Sequence, residues 1–194
     1  MAKMVTIRGD VLNPLSTGRS IVLPHICNDE GRWGKGFTYK LSQRFAQPEH
    51  IYREAAHARE LQLGCIQVCD KFANQFYDPN RITTTTTIVN MIAQHGISGN
   101  TGLVNPIRPQ LRYVALIECM KKVAFQVDRC RDADVHCPRF GSELAGGHWP
   151  AIEALIWELW VDQNINVYQY IWEPIPERRG IMSEQTAESA AMFN

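Results

Sequence analysis

Residues 20–45 constrain the fold of this chain more than any other stretch. An apolar run, Ser20-Ile21-Val22-Leu23-Pro24, leads into His25-Ile26-Cys27-Asn28-Asp29-Glu30-Gly31-Arg32-Trp33-Gly34-Lys35-Gly36-Phe37. Phe37, Leu41 and Phe45 then recur every four residues, which puts them on one helix face. The order is therefore strand, polar glycine-bearing loop and helix N-terminus. Gly31, Gly34 and Gly36 let the backbone pass close to a ligand without Cβ interference. Free N–H groups opening the following helix, aided by its dipole, make an anion site. His25 and Asn28 stand at the strand end, and the whole suits a phosphorylated sugar. Taken alone, the stretch reads equally well as an ordinary strand-to-helix connection. Two familiar phosphate motifs are absent: Gly31-x-x-Gly34-Lys35-Gly36 lacks the spacing and the Ser/Thr of a P-loop, and no G-x-G-x-x-G occurs.

The remainder of the chain narrows the class. With 194 residues it has the length of one domain with a sizeable core. Lys plus Arg equals Asp plus Glu at 20 each, so no overall field favours nucleic acid or an anionic membrane, and neither is expected as a partner. Cys27, Cys65, Cys69, Cys119, Cys130 and Cys137 are irregularly spaced with no C-x-x-C, which reads as free thiols in a reducing compartment. Neither a signal-peptide core nor a spanning apolar run is visible. The expectation is a soluble protein of the cytoplasm.

Strands and helices alternate along the sequence. Residues 4–8 read as a first strand, closed by Gly9-Asp10-Val11 and turned at Asn13-Pro14. Pro48 opens a helix with Ile51, Ala55 and Ala58 on one side, and 63–69 is a short edge strand. After a turn at Asp78-Pro79-Asn80, residues 81–93 carry five consecutive threonines and an apolar continuation, a long β-branched strand. Residues 94–109, with Gly96, Gly99, Gly102, Pro106 and Pro109, form a loop long enough to carry function or to move. The strongest helix covers 111–127, with Tyr113, Leu116, Ile117, Met120, Ala124 and Val127 as its apolar stripe. A strand at 134–137, a second glycine-bearing loop at 138–149, a helix at 149–160 and an alternating strand at 165–171 complete a domain spanning 1–172. The charged or small residues of 173–194 lack apolar periodicity and read as a flexible tail. This is an α/β pattern, with helices on both faces of a mostly parallel or mixed sheet. Ligands of such sheets bind outside the strands' carboxyl ends, where both glycine-bearing loops lie.

Pro138-Arg139-Phe140-Gly141-Ser142-Glu143-Leu144-Ala145-Gly146-Gly147-His148-Trp149 resembles the phosphate-binding loop of macro domains. The branch most similar holds ADP-ribose-1''-phosphate phosphatases and glutamate-linked ADP-ribosyl hydrolases. His25-x-Cys27-Asn28 with Trp33-Gly34-x-Gly36 resembles that branch's first loop, and Gly9-Asp10-Val11 its early Gly-Asp-Ile/Val. Asn90-Met91-Ile92-Ala93-Gln94 and Leu111-Arg112-Tyr113 fit the strand and helix between. Three motifs in order over about residues 4–171 make the likeness far more specific than any one. It implies a three-layer α/β/α sandwich around a mixed sheet. Two departures stand out. Glu143 replaces a common glycine, adding a carboxylate that either points outward or alters the ligand. Gln94 falls where the hydrolases carry a lysine that forms a covalent sugar adduct, and Ala145 where they carry an acid.

The resemblance implies a ligand, ADP-ribose or a related nucleotide, free or on an ADP-ribosylated protein, and roles for particular residues. Asp10, beside Val11, would accept from adenine N6, and Tyr170 (with Tyr168) would line the base. Gly34, Lys35, Gly36 and Phe37 would shape the first loop, and Lys35 would screen phosphate charge. Gly141, Ser142, Leu144, Ala145, Gly146 and Gly147 would present backbone donors to the diphosphate. Asn28 would hold the distal ribose and His25 would transfer a proton, its unperturbed pKa lying near working pH. Each has a plainer reading: a hydrogen-bonded strand-end histidine for His25, a turn residue for Asn28, a turn or cap for Asp10, core packing for a tyrosine. His95 and His148 lack metal-ligand spacing, so neither a metal nor a cofactor is expected. The function implied is hydrolysis at the distal ribose C1'', foremost an ADP-ribose-1''-phosphate phosphatase. The alternative is a reader or sequestering module without turnover, for ADP-ribose, ADP-ribosylated protein or a cyclic ADP-ribose-type signal.

Overall fold

The computed structural model describes residues 1–73, 85–97, 109–130 and 132–172. Most of the loop expected at 94–109, the turn at 78–80 and the tail at 173–194 lie outside them. Six strands, β1 (Met4–Arg8), β2 (Ser20–Asn28), β3 (Ile66–Ala73), β4 (Thr85–Gln94), β5 (Ala133–Pro138) and β6 (Val167–Ile171), form one sheet. Their spatial order is β1-β6-β5-β2-β4-β3. Every neighbouring pair is parallel except β3 with β4, so the sheet is mixed and β3 is its antiparallel edge.

Parallel strands covered on both faces need apolar residues in succession, and β2 and β4 supply them. Alternate residues of β2 serve different layers. Val22 joins Val89, Met91, Val135 and Val167 under α3 (Tyr113–Arg129) and α4 (Trp149–Ile156), where Leu116, Met120, Val123, Ile152 and Ile156 are buried. Ile21 and Leu23 face the other way, with Ile88 and Leu41 of α1 (Phe37–Arg44). Beside them Cys27 and Ile92 pack on Tyr52 of α2 (Gln47–His57). Each such buried side chain contributes roughly 1.5–3 kcal/mol, so this two-sided burial fixes the three-layer α/β/α sandwich. Over β1 and β6, Val11 and Leu12 add to the apolar cover.

Several element boundaries differ from the sequence reading: β3 runs Ile66–Ala73 against 63–69, β6 begins at Val167 against 165, and both α3 and α4 depart from their expected limits. Helix α3 begins at Tyr113 because Leu111 bridges to Gln94 and donates its N–H to Ala145. Helix α4 widens into a π-helical turn at Trp157–Val161, with Asp162 N–H bonding Trp157 C=O at 2.9 Å. The turn seats Trp160, whose indole N–H donates to Met120 C=O at 2.9 Å. Among the described residues no helix is long and apolar enough to cross a membrane.

Candidate ligand-binding site

Strands β1, β6, β5, β2 and β4 all end on one edge of the sheet. The chain leaves β2 toward α1 and α2 on one face, and leaves β5 toward α4 on the other. Since β2 and β5 are neighbours, the two exits open a crevice between them, the switch point of an α/β sheet.

One wall of the crevice is the loop 29–36, and Asn28 organises it. A register shift between Cys27 and Asn28 brings Asn28 opposite Gln94 and re-aims its side chain. Asn28 Oδ1 accepts from Glu30 N–H at 3.0 Å, Arg32 N–H at 3.1 Å and the Tyr52 hydroxyl at 2.8 Å, while Nδ2 donates to Arg32 C=O at 2.5 Å. Trp33 is then pinned by its indole N–H to Ser42 Oγ at 2.6 Å, and Ser42 in turn to Glu49. Gly36 caps α1 at φ 59, a left-handed conformation that favours glycine, and no side chain caps that helix.

The opposite wall is the loop 139–148. Gly141 and Gly146 take φ of 76 and 71. Gly146 N–H donates to Glu143 C=O at 3.0 Å, and Gly147 N–H to Gly141 C=O at 2.8 Å. Those two expected diphosphate donors are therefore turned into the loop itself. The N–H groups of Ser142, Glu143 and Ala145 have no backbone partner among the described residues. A Cβ on Gly147 would stand 2.4 Å from Leu111 Cδ2 and 2.6 Å from Gly141 O, so the closure requires glycine. The two walls approach each other closely: Leu144 Cδ1 lies 3.5 Å from where a Cβ of Gly36 would be. Glu143 is exposed and Ala145 buried, so the extra carboxylate points outward.

His25 sits beneath the first wall, 1% exposed, between Trp33 and Phe37 at centroid distances of 5.6 and 5.4 Å. Its Nε2 meets Asn90 Oδ1 at 2.7 Å, and its Nδ1 faces Cys27 Sγ at 3.8 Å. Burial pushes its pKa down to about 4, although the Asn90 bond opposes the shift. Both ring nitrogens are engaged and the ring meets no solvent, so this geometry favours the plainer reading of His25 over proton transfer. Tyr170 is likewise absorbed by the sheet: its hydroxyl accepts from Leu15 N–H at 2.9 Å and lies 3.0 Å from His136 Nδ1. Tyr168 stacks on His136 at 4.6 Å. Asp10 is exposed, and its Oδ1 accepts from Leu12 N–H at 2.9 Å, a turn contact. Lys35 is exposed on the first wall and Val11 is buried behind Asp10.

Two features of this edge escaped the sequence reading. Trp172, following β6, is 55% exposed with Lys40 Nζ 3.5 Å above its ring. At the ends of β2 and β4, His95 Nδ1 lies 2.7 Å from Asp29 Oδ2, and Gly96 N–H donates to Asp29 Oδ1 at 3.0 Å. Burial works against the Asp29 carboxylate, but those two bonds outweigh it and hold its pKa below the usual value. Gln94 donates from Nε2 to Gly96 C=O at 2.8 Å. Among the described residues no group of three or more His, Cys, Asp or Glu is placed to hold a metal ion.

Comparison with known proteins places this architecture. No protein-family model matches the chain. A macrodomain protein from Streptomyces coelicolor is 31% identical with a TM-score of 0.67, over 87% of this chain and 99% of that one. A Bacteroides thetaiotaomicron protein of unknown function is 35% identical with a TM-score of 0.71, over 87% and 98%. The Thermosipho africanus DarTG complex with ADP-ribose shares the fold at 14% identity and a TM-score of 0.64, over 91% of this chain and 44% of that one. Among curated relatives, the mouse chromodomain-helicase-DNA-binding protein 1-like is 27% identical over 186 residues, 95% of this chain but only 19% of that protein's length. An ADP-ribose 1''-phosphate phosphatase of Lodderomyces elongisporus is 37% identical over 59 residues, 30% of this chain and 37% of the enzyme.

Proposed function

Because the chain belongs to the macrodomain family, we propose that its crevice binds ADP-ribose or a close derivative and hydrolyses it at the distal ribose C1''. The observation that carries the binding half is the pairing of the two walls. The backbone N–H groups of Ser142, Glu143 and Ala145 and the uncapped N-terminus of α1 are donors on either side of β2 and β5. A diphosphate laid along residues 141–147 would meet donors without desolvating a buried cation. Asp10 Oδ2 would accept from the adenine amino group at one end, and the ribose would lie toward Asn28 at the other. Asn28 serves that end chiefly by holding the loop, since its amide already makes the bonds that shape 29–36.

The foremost substrate in this reading is ADP-ribose-1''-phosphate, in keeping with the curated phosphatase that shares a stretch of sequence. With Gln94 in place of a lysine, attack by water is the simpler route. A reader or sequestering module is the second reading, favoured by the same Gln94 and by the buried His25. Incubation with ADP-ribose-1''-phosphate and with glutamate-ADP-ribosylated protein, followed by chromatography, separates the two. Catalytic release of phosphate or of free ADP-ribose supports the hydrolase; unchanged substrate alongside tight ADP-ribose binding supports the reader.

A further inference from the structure

Asp29 and His95 form a hydrogen-bonded pair at the carboxyl ends of β2 and β4. The two residues are 66 positions apart in sequence and meet only because β2 and β4 are neighbours. The carboxylate is anchored on both oxygens, by His95 Nδ1 at 2.7 Å and Gly96 N–H at 3.0 Å, and the Asp29 N–H donates to Gln94 C=O at 3.0 Å. Asp29 is 16% exposed at its side chain and His95 56%, so an interior acid holds an outward imidazole. With Nδ1–H on the carboxylate, the neutral ring carries its lone pair on Nε2, which has no partner among the described residues. A carboxylate so placed selects the tautomer and fixes the orientation of the ring.

The pair is tied to the diphosphate loop by a short strip of backbone. His95 N–H donates to Gln110 C=O, Arg112 N–H to Ala93 C=O and Leu111 N–H to Ala145 C=O, each at 2.9 Å. Residues 110–112 thus link the end of β4 to the loop 139–148. The nearby Glu30 and Arg32 pair with each other at 3.3 Å.

The geometry points to His95 as the base that activates water, with Asp29 as its positioning residue. This rests on the hydrolase reading above. In the step, His95 Nε2 takes one proton from a water whose oxygen bonds to the distal ribose C1''. The C1''–O bond breaks and its electron pair leaves on the departing phosphate or carboxylate oxygen. The imidazolium returns the proton to that oxygen or to solvent. Water is the only co-reactant.

The test uses the whole chain, with ADP-ribose-1''-phosphate turnover and ADP-ribose calorimetry measured side by side. His95→Ala and His95→Gln should each lower kcat by about 10²–10⁴-fold while ADP-ribose affinity stays within about twofold. Gln retains a donor toward Asp29 and guards against a folding defect. Asp29→Asn should lower kcat with KM nearly unchanged, whereas a merely structural role would move both. His57→Ala, exposed on α2, should match wild type. If His95→Gln keeps wild-type kcat, the base is misassigned although the hydrolase reading stands. If wild type binds ADP-ribose but turns over neither this substrate nor the ADP-ribosylated protein, the dyad has no reaction to serve and the inference fails. If ADP-ribose does not bind at all, both readings fall together.

Discussion

The Tyr52 hydroxyl reaches both oxygens of Asn28, 2.7 Å from the backbone carbonyl and 2.8 Å from Oδ1. One phenol on α2 thereby holds the residue that ends β2 and begins the first wall of the crevice. Burial raises the tyrosine's pKa, so it remains a neutral donor throughout the working range.

Tyr52→Phe removes that donor and leaves Oδ1 with the Glu30 and Arg32 amides. The expected cost is about 1 kcal/mol, or about 2–4 °C in melting temperature for a chain of this size. Asn28→Ala should cost more, roughly 2–4 kcal/mol, because it strands two backbone amides and a carbonyl, while the phenol keeps the residue's backbone carbonyl. Thermal and urea unfolding of both variants measure this. Equal stability of Asn28→Ala and wild type would show that the loop is held some other way.

Two buried histidines make stability depend on acid. His25 and His136 both have pKa values lowered to about 4, by burial in each case, with Asn90 and Asp134 opposing. Between the unfolded value near 6.5 and about 4, the unfolded chain binds protons that the folded chain refuses. Stability is therefore complete above pH 6.5 and falls as pH drops toward 4, by about 2 kcal/mol per histidine at pH 5. The urea midpoint should drop between pH 7.5 and 5, and His136→Phe should remove about half of the drop. A midpoint independent of pH would contradict the burial of both rings.

The arrangement of secondary structure was legible in the sequence because local patterns decide it. Phe37, Leu41 and Phe45 mark α1 by period, and the β-branched run ending at Gln94 marks β4. What local pattern cannot carry is which face a residue takes in a strand buried on both sides. His25 and Ile26 are adjacent in such a strand, and nothing in their spacing says that the imidazole lies under Trp33. The Asp29–His95 pair was hidden for another reason: it exists only through strand neighbourhood. The glycines of 139–148 were legible as a loop, but that Gly146 and Gly147 turn their N–H groups inward depends on carbonyl positions within the turn.

Gln94 predicts the absence of a covalent intermediate. Its amide is engaged with Gly96 C=O and is no nucleophile toward a sugar aldehyde. Borohydride added during incubation with ADP-ribosylated protein should trap no sugar on the chain, as judged by intact mass. A trapped adduct would mean that another amine near β4 takes the lysine's part.

The account turns on a crevice shaped for both halves of ADP-ribose, with the diphosphate on the backbone of 141–147. Titration calorimetry with ADP-ribose, AMP and ATP against wild type and Gly146→Glu tests this most directly. Gly146 has φ 71, and a glutamate there brings backbone strain and a negative charge to the loop. ADP-ribose should bind at least about tenfold more tightly than AMP, a difference of about 1.4 kcal/mol, and Gly146→Glu should abolish binding. ADP-ribose bound no more tightly than AMP, or bound equally well by Gly146→Glu, would contradict the account.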